Sequence, residues 1–471
     1  MRWFSTSLAF LAFLLFARES LSLKPYARTV PALRYITSFP FKKPAFITAH
    51  ANPTRPNSFD LVISSFGVSF PGNNPDAVSF IPDIADAVAR KTFEYRRIGE
   101  AVTWPNEVNL IDNQHLIVPG GFLVPGKKGH ISMMDYDAFR MGNTSAQWVP
   151  MVTDDQGFYH RVQKINVYNQ AARQGDSGER LVSCRGQKGV LDGGHGEMIF
   201  IEAIKDAAPA MAARRVSKGP QGQNGYRVQT IASGCDCYFT TVDYNKDGIP
   251  EFIIPAFFGK KLIYMWTEHP EGDYSKPEFI RQRIIDDQTG ALFDVEAFDL
   301  DNDGVDEIVI TNHQGRRASI PASVFAYKVK LPSDVSEDHQ VVFASTSRNI
   351  SEFMLQIEFE RHTLFDQFDI INRSFMAAGP GSARVVRPHS DTRHPEYAFP
   401  VLIVSGDGSE KAHLLVRERG SDDWSYRHEI FHDCKGTVGA IMVEDIDNDG
   451  WQDVFVPCYD TNTVAVYTFA P

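Results

Sequence analysis

The sequence predicts an all-β fold, a seven-bladed β-propeller of four-stranded antiparallel blades. Three observations predict it. A short apolar strand ending in a small or turn residue recurs seven times, from Leu61-Val-Ile-Ser64 to Val454-Phe-Val-Pro457. An aromatic or apolar residue, then Arg or His, then apolar residues recur upstream of each such strand, from Arg34-Tyr-Ile36 to Tyr426-Arg-His-Glu-Ile430. Three acidic loops run directly into strands of the first kind. Copies spaced by roughly fifty to ninety residues, each holding about four short strands, are the signature of a propeller. An eight-bladed ring with one blade undetected is the alternative. A β-helix is disfavoured because its repeats are much shorter.

The elements follow in chain order. Arg2 and the apolar run Leu8–Phe16 read as a signal peptide over residues 1–22, too short for a membrane-spanning helix. Residues 23–471 then form one propeller domain. An orphan strand near Leu33–Thr37 precedes the first repeat, and the chain finishes just after the third strand of the last one. The N-terminal strand is therefore expected to complete the final blade and close the ring, which removes exposed sheet edges. The second strands are Leu61–Ser64, Leu116–Pro119, Leu181–Cys184, Phe252–Pro255, Ile308–Thr311, Leu402–Ser405 and Val454–Pro457. Third strands follow at Leu262–Trp266, Ser323–Tyr327, His413–Val416 and Val464–Tyr467. Two stretches exceed the repeat, Gly175–Gly196 and Leu331–Ser351, and both read as long inter-strand loops.

The acidic loops carry chemistry. They read Asp243-Tyr-Asn245-Lys-Asp247-Gly248-Ile-Pro-Glu251, Asp299-Leu-Asp301-Asn-Asp303-Gly304-Val-Asp-Glu307 and Asp445-Ile-Asp447-Asn-Asp449-Gly450-Trp-Gln-Asp453. Ca²⁺ asks for six to eight oxygens at about 2.3–2.6 Å, and side chains at positions 1, 3, 5 and 9 of a tight turn gather four around one point. Gly at position 6 permits a positive φ. Mg²⁺ suits the loops less well, because it prefers octahedral sites and keeps its waters. Zn²⁺ is disfavoured without His or Cys. An EF-hand is excluded: it needs Glu at position 12, where Ile254, Ile310 and Val456 stand, and helices on both sides. The bland competitor is an acidic turn without metal. The loop at Asp243 is the weakest of the three, with Asn245 at position 3.

Composition bounds the partners. A hydrophobic fraction of 43% suffices for a buried core, and a net charge of −12 disfavours nucleic acid, which asks for a basic face. A leader sequence and this charge fit a secreted or luminal, cation-binding product. Five cysteines leave at least one unpaired within the chain; Cys434 and Cys458 share a repeat and could bridge, and the remaining pairing stays open. Sequons at Asn143, Asn349 and Asn372 are candidate surface glycosylation sites.

These loops and the strands after them resemble the integrin-like FG-GAP and VCBS repeats, which form calcium-binding propellers. The motif covers three of seven repeats. In the first repeat only the last acid remains, at Asp60, with Asn52, Thr54 and Pro56 in the earlier places. The other four blades are therefore expected to be metal-free. The family includes integrin α-chain heads, fungal lectins and, at greater distance, the propeller of the sugar-dehydrating aldos-2-ulose dehydratase. The C-terminal run from Lys435 through Asp453 is similar to uncharacterised secreted VCBS proteins.

Catalytic candidates are few. Asp192-Gly-Gly-His195-Gly-Glu197 and His389-Ser-Asp391-Thr-Arg-His394 each group His with carboxylates, which could hold a metal or move protons, although each also reads as a solvated loop. No nucleophile elbow, zinc-protease motif or phosphate loop occurs. Two functions follow. One is a secreted binding, adhesion or matrix protein whose propeller face holds a glycan or an extracellular protein. The other is a carbohydrate lyase or dehydratase working in the central funnel. Titratable side chains converging on the channel would favour the enzyme; aromatics on one exposed face would favour binding.

Overall fold

The computed structural model describes residues 32–52, 55–67, 76–99, 102–121, 128–143, 146–166, 179–187, 196–204, 220–332, 347–371, 378–393, 397, 399–418 and 424–471. Seven antiparallel sheets of four or five strands follow one another along the chain, each starting with an inner strand, and a two-stranded sheet, Gln314–Gly315 with Ala378–Gly379, is added to them. The inner strands are Pro44–Ala51, Asn109–Ile111, Gly157–Asn166, Thr240–Val242, Leu292–Phe298, Ala383–Val386 and Met442–Glu444. Seven hydrophobic cores lie between neighbouring blades, one per pair. A blade is thus buried on both faces, which is why second strands such as Glu251–Ala256 and Asp453–Cys458 are buried at every position. The outer strand Ile280–Asp286 lies at the rim and is half-buried to exposed.

The ring closes as the sequence predicts. Arg34–Pro40 pairs antiparallel with Thr463–Thr468, so the last blade takes its outer strand from the other end of the chain. The seam is tightened where Ala440 N–H donates to Ala45 O at 2.8 Å. A Cβ on Gly439 would fall 2.2 Å from the same carbonyl, so no larger residue fits there.

The structure corrects several details. Gly175–Gly196 is not one long loop: Glu179–Gln187 within it is the second strand of blade three. The His160-Arg-Val segment lies on the inner strand of blade three, and blade two takes Val149–Asp154 as its fourth strand instead, flanked by an extra two-residue strand, Gln221–Gly222. From Leu331–Ser351 the chain enters a helix, Ser347–Gln356, whose Phe353 and Met354 join the core between blades four and five.

Cys434 bonds Cys458, as the sequence allowed; Cys184 bonds Cys235, and Cys237 is a buried free thiol. Among the described residues no helix is long and apolar enough to cross a membrane. The leader segment, residues 1–22, lies outside the described residues. Asn143 is exposed and Asn349 lies on the Ser347–Gln356 helix, whereas Asn372 lies outside the described residues.

Candidate functional site

The acidic loops join first to second strands of blades four, five and seven, and so share one face of the ring. Their backbones are alike. Both carboxylate oxygens of Asp243 accept N–H groups, from Asp247 at 3.1 Å and Gly248 at 3.0 Å. Asp299 and Asp445 repeat this pattern with Asp303 and Gly304, and with Asp449 and Gly450. The position-5 acids Asp247, Asp303 and Asp449 accept from the residue two along at 2.8–2.9 Å. The position-9 acids Glu251, Glu307 and Asp453 reach back to the N–H of Tyr244, Leu300 and Ile446. Gly248, Gly304 and Gly450 have φ of 80°, 84° and 92°, as position 6 requires. Position 4 is left-handed too, at Lys246, Asn302 and Asn448. Asn at two of these three places was the available signal, because Asn tolerates that region.

The donor set fits a hard cation. Carboxylate oxygens of Asp243, Asp247 and Glu251 lie within 4.8 Å of one another, as do those of Asp299, Asp301 and Asp303 and those of Asp445, Asp447 and Asp449. Burial raises Glu251 well above the usual carboxylate range and pushes Glu307 and Asp453 up to about 7, so each position-9 acid gains by facing a positive charge. In blade five such a charge is present: the Lys328 ammonium donates to Asp301 Oδ2 at 2.6 Å, Asp303 Oδ2 at 2.5 Å and Glu307 Oε1 at 3.1 Å. A cationic head stands in that loop where the oxygens converge. In blade four Asn245 instead donates its amide to Asp247 Oδ2 at 2.9 Å.

The opposite face is built by the loops entering each first strand and those joining second to third strands. It collects aromatic rings. Tyr238 and Phe293 meet edge-on at 5.2 Å between centroids, Phe257 meets Phe258 at 4.9 Å, and His313 lies 5.3 Å from Phe293. Phe158 and His160 complete this group from blade three. A second group joins blades one, two and seven: Phe66 stacks on Trp104 at 4.3 Å and packs against Phe46 and Tyr459. Phe46, Phe66, Trp104, Phe257, Phe258, Phe293, His313 and Tyr459 are half-buried, so their rings remain reachable.

Between the faces runs a central cavity of about 510 Å³ lined by residues of the inner strands and of the segments leading into them, His50, Glu107, Arg161, Glu296 and Arg384 among them. Four of its acids and arginines form a paired network, whereas Glu444, which also lines it, has no ion-pair partner among the described residues. Arg161 donates to Glu107 at 3.0 Å and lies 3.5 Å from Asp294. Arg384 reaches Asp294 at 2.9 Å and Glu296 at 3.0 Å. Burial pushes the His50 imidazole down to about 4, so it is neutral at physiological pH. This network of acids and arginines from several blades carries no motif in sequence.

The catalytic candidates do not form a common site among the described residues. His195 and His394 lie outside those residues. Glu197 pairs with Arg185 at 2.8 Å, and Arg185 also holds buried Asp154. His389 accepts from Asp391 N–H at 2.8 Å and packs edge-on against Trp451 beside the blade-seven loop.

No family model matches the chain, and no curated protein matches it in sequence. Among solved structures it is similar to the PQQ-bound form of aldose sugar dehydrogenase from Streptomyces coelicolor, with 9% identity over 93% of this chain and 97% of that one and a TM-score of 0.42. A likeness that remote has no bearing on function.

Proposed function

We propose that this chain is a secreted, calcium-stabilised propeller of the FG-GAP/VCBS type that binds a glycan or an extracellular protein on the face opposite its acidic loops. The observation that carries the reading is the set of half-buried rings around that face, Phe66 and Trp104 on one side and Phe257, Phe258 and Phe293 on the other. Flat rings with one accessible side give large contact area at little entropic cost, which suits sugar rings and protein side chains alike. Two disulfides support an oxidising compartment. The acidic loops take Ca²⁺ through Asp243, Asn245, Asp247 and Glu251 in blade four and through Asp445, Asp447, Asp449 and Asp453 in blade seven. There the ion neutralises buried carboxylates and staples the first strand to the second.

The competing reading is a lyase or dehydratase in the channel, which needs a base free to take a proton. Glu107, Asp294 and Glu296 are paired with Arg161 and Arg384, which supports a structural role for these three and leaves Glu444 as the channel acid such a reading would have to use. A glycan array, run with calcium and with chelator, tests the proposal. Binding that Trp104→Ala or Phe258→Ala weakens at least tenfold, without altering calcium content, is the expected result. Unchanged binding by both variants would sink the aromatic face. Turnover of a carbohydrate by the wild-type chain, lost in Glu444→Gln with an unchanged melting curve, would establish the enzyme.

A further inference from the structure

Among the described residues, blades one and five carry a protein cation at the place where a metal loop would hold its ion. In blade five it is Lys328, which contacts positions 3, 5 and 9 of the loop, namely Asp301, Asp303 and Glu307. The strand register explains its presence. Ile308 lies across from Tyr327, which puts Lys328 opposite Glu307 on the third strand. In blade seven the residue opposite Asp453 is Thr468, and in blade four the Phe252–Met265 register puts Trp266 opposite Glu251. Neither is a cation.

Blade one, whose loop has lost most of its acids, is served by Arg140. Its Nε lies 2.8 Å from Asp60 Oδ2, and its Nη1 donates to Asn52 Oδ1 at 2.6 Å. Asn52 and Asp60 are positions 1 and 9 of that degenerate loop. Arg140 comes from the next blade, at the end of the short helix Tyr136–Arg140, and Asp60 is fully buried. Tyr136 Oη also donates to Asp60, at 2.9 Å.

We infer that Lys328 and Arg140 are the resident cations of their loops, and that blades four and seven alone take a divalent ion. The blade-five loop matches the metal pattern fully in sequence, yet it does not fit the metal in this structure. An ammonium within 2.5–3.1 Å of three carboxylates fills the space that Ca²⁺ needs at about 2.3–2.6 Å from the same oxygens. To enter, an ion must displace a tethered group with an effective concentration of about millimolar or more. Blades one and five are then anchored with or without calcium, while blades four and seven loosen when it is withdrawn. The part of this inference that concerns blades four and seven rests on the calcium reading above; the part that concerns Lys328 and Arg140 does not.

Native mass spectrometry of the full chain in calcium tests it. Wild type should carry two ions, Asp247→Asn one, Asp303→Asn still two, and Lys328→Met three. A wild-type count of three, or the loss of an ion in Asp303→Asn, overturns the assignment. If wild type carries no calcium, the metal reading of blades four and seven fails, and Lys328 is judged by melting in excess chelator. There Lys328→Met should melt several degrees lower than wild type, with Lys328→Arg restoring most of the loss. No shift in Lys328→Met would refute its role. Should that variant fail to fold, the Asp303→Asn count and the Lys328→Arg melting curve still decide.

Discussion

Removing the strand Arg34–Pro40 should open the ring. Six residue pairs join this strand to Thr463–Thr468, the third strand of the last blade. Its anchor is Phe39, which is 2% exposed, stacks on Phe93 at 4.1 Å and sits in the core between blades seven and one. Phe39→Ala alone should cost about 3–5 kcal/mol, the usual loss for a buried Phe that leaves a cavity. Against a typical stability of about 5–15 kcal/mol that is a large fraction. Deleting Arg34–Pro40 adds a second effect, because it bares the backbone edge of a strand whose Val464 and Val466 are fully buried in the intact ring. Bare, flat, apolar edges recruit other chains. The assay is a urea titration of both variants, with light scattering to follow association. Phe39→Ala should lower the midpoint and stay monomeric, and the deletion should aggregate. A deletion variant that stays monomeric with an unchanged midpoint would refute closure by this strand.

Three further outcomes are expected. Asp447→Ala should reduce the calcium-dependent rise in melting temperature; a fully functional site contributes about 2.7 kcal/mol at a hundredfold excess over its Kd, and a melting curve indifferent to chelator would count against a structural ion. Arg384→Met should destabilise by about 3–5 kcal/mol in urea, because Asp294, 2% exposed, and half-buried Glu296 lose their shared counter-charge. Burial pushes the imidazoles of His50, His160 and His413 down to about 4, 3 and 3, below the 6.5 of an unfolded chain. The unfolded state therefore binds more protons below pH 6.5, and their stability contribution is full above that pH and lost as pH falls towards the native values. Each histidine contributes about 1.4 kcal/mol per pH unit in that window. His413→Asn should flatten the pH dependence of the urea midpoint by about one proton relative to wild type, so an identical slope would contradict the burial argument.

The sequence by itself determined the architecture. Strand, turn and loop signals are local, and a propeller repeats them, so each copy reinforces the others. Blade count, the order of strands and the place of the acidic loops at the head of Glu251–Ala256, Glu307–Asn312 and Asp453–Cys458 were all legible for that reason. So was closure by Arg34–Pro40, since an unpartnered strand at one end met a three-stranded blade at the other. Where a segment carried the right composition in the wrong place, as at His160-Arg-Val, the local signal misled, because inner and outer strands can share a short pattern.

Only the tertiary structure decided what fills the loops and what lines the channel. The blade-five motif is complete in sequence, yet Lys328, twenty-one residues beyond Glu307, reaches it through cross-strand register. Arg140 reaches Asp60 from a neighbouring blade, and Arg384 reaches Asp294 across ninety residues of chain. Electrostatic partnership depends on distance in space and on burial, and neither is written in the spacing of residues along the chain.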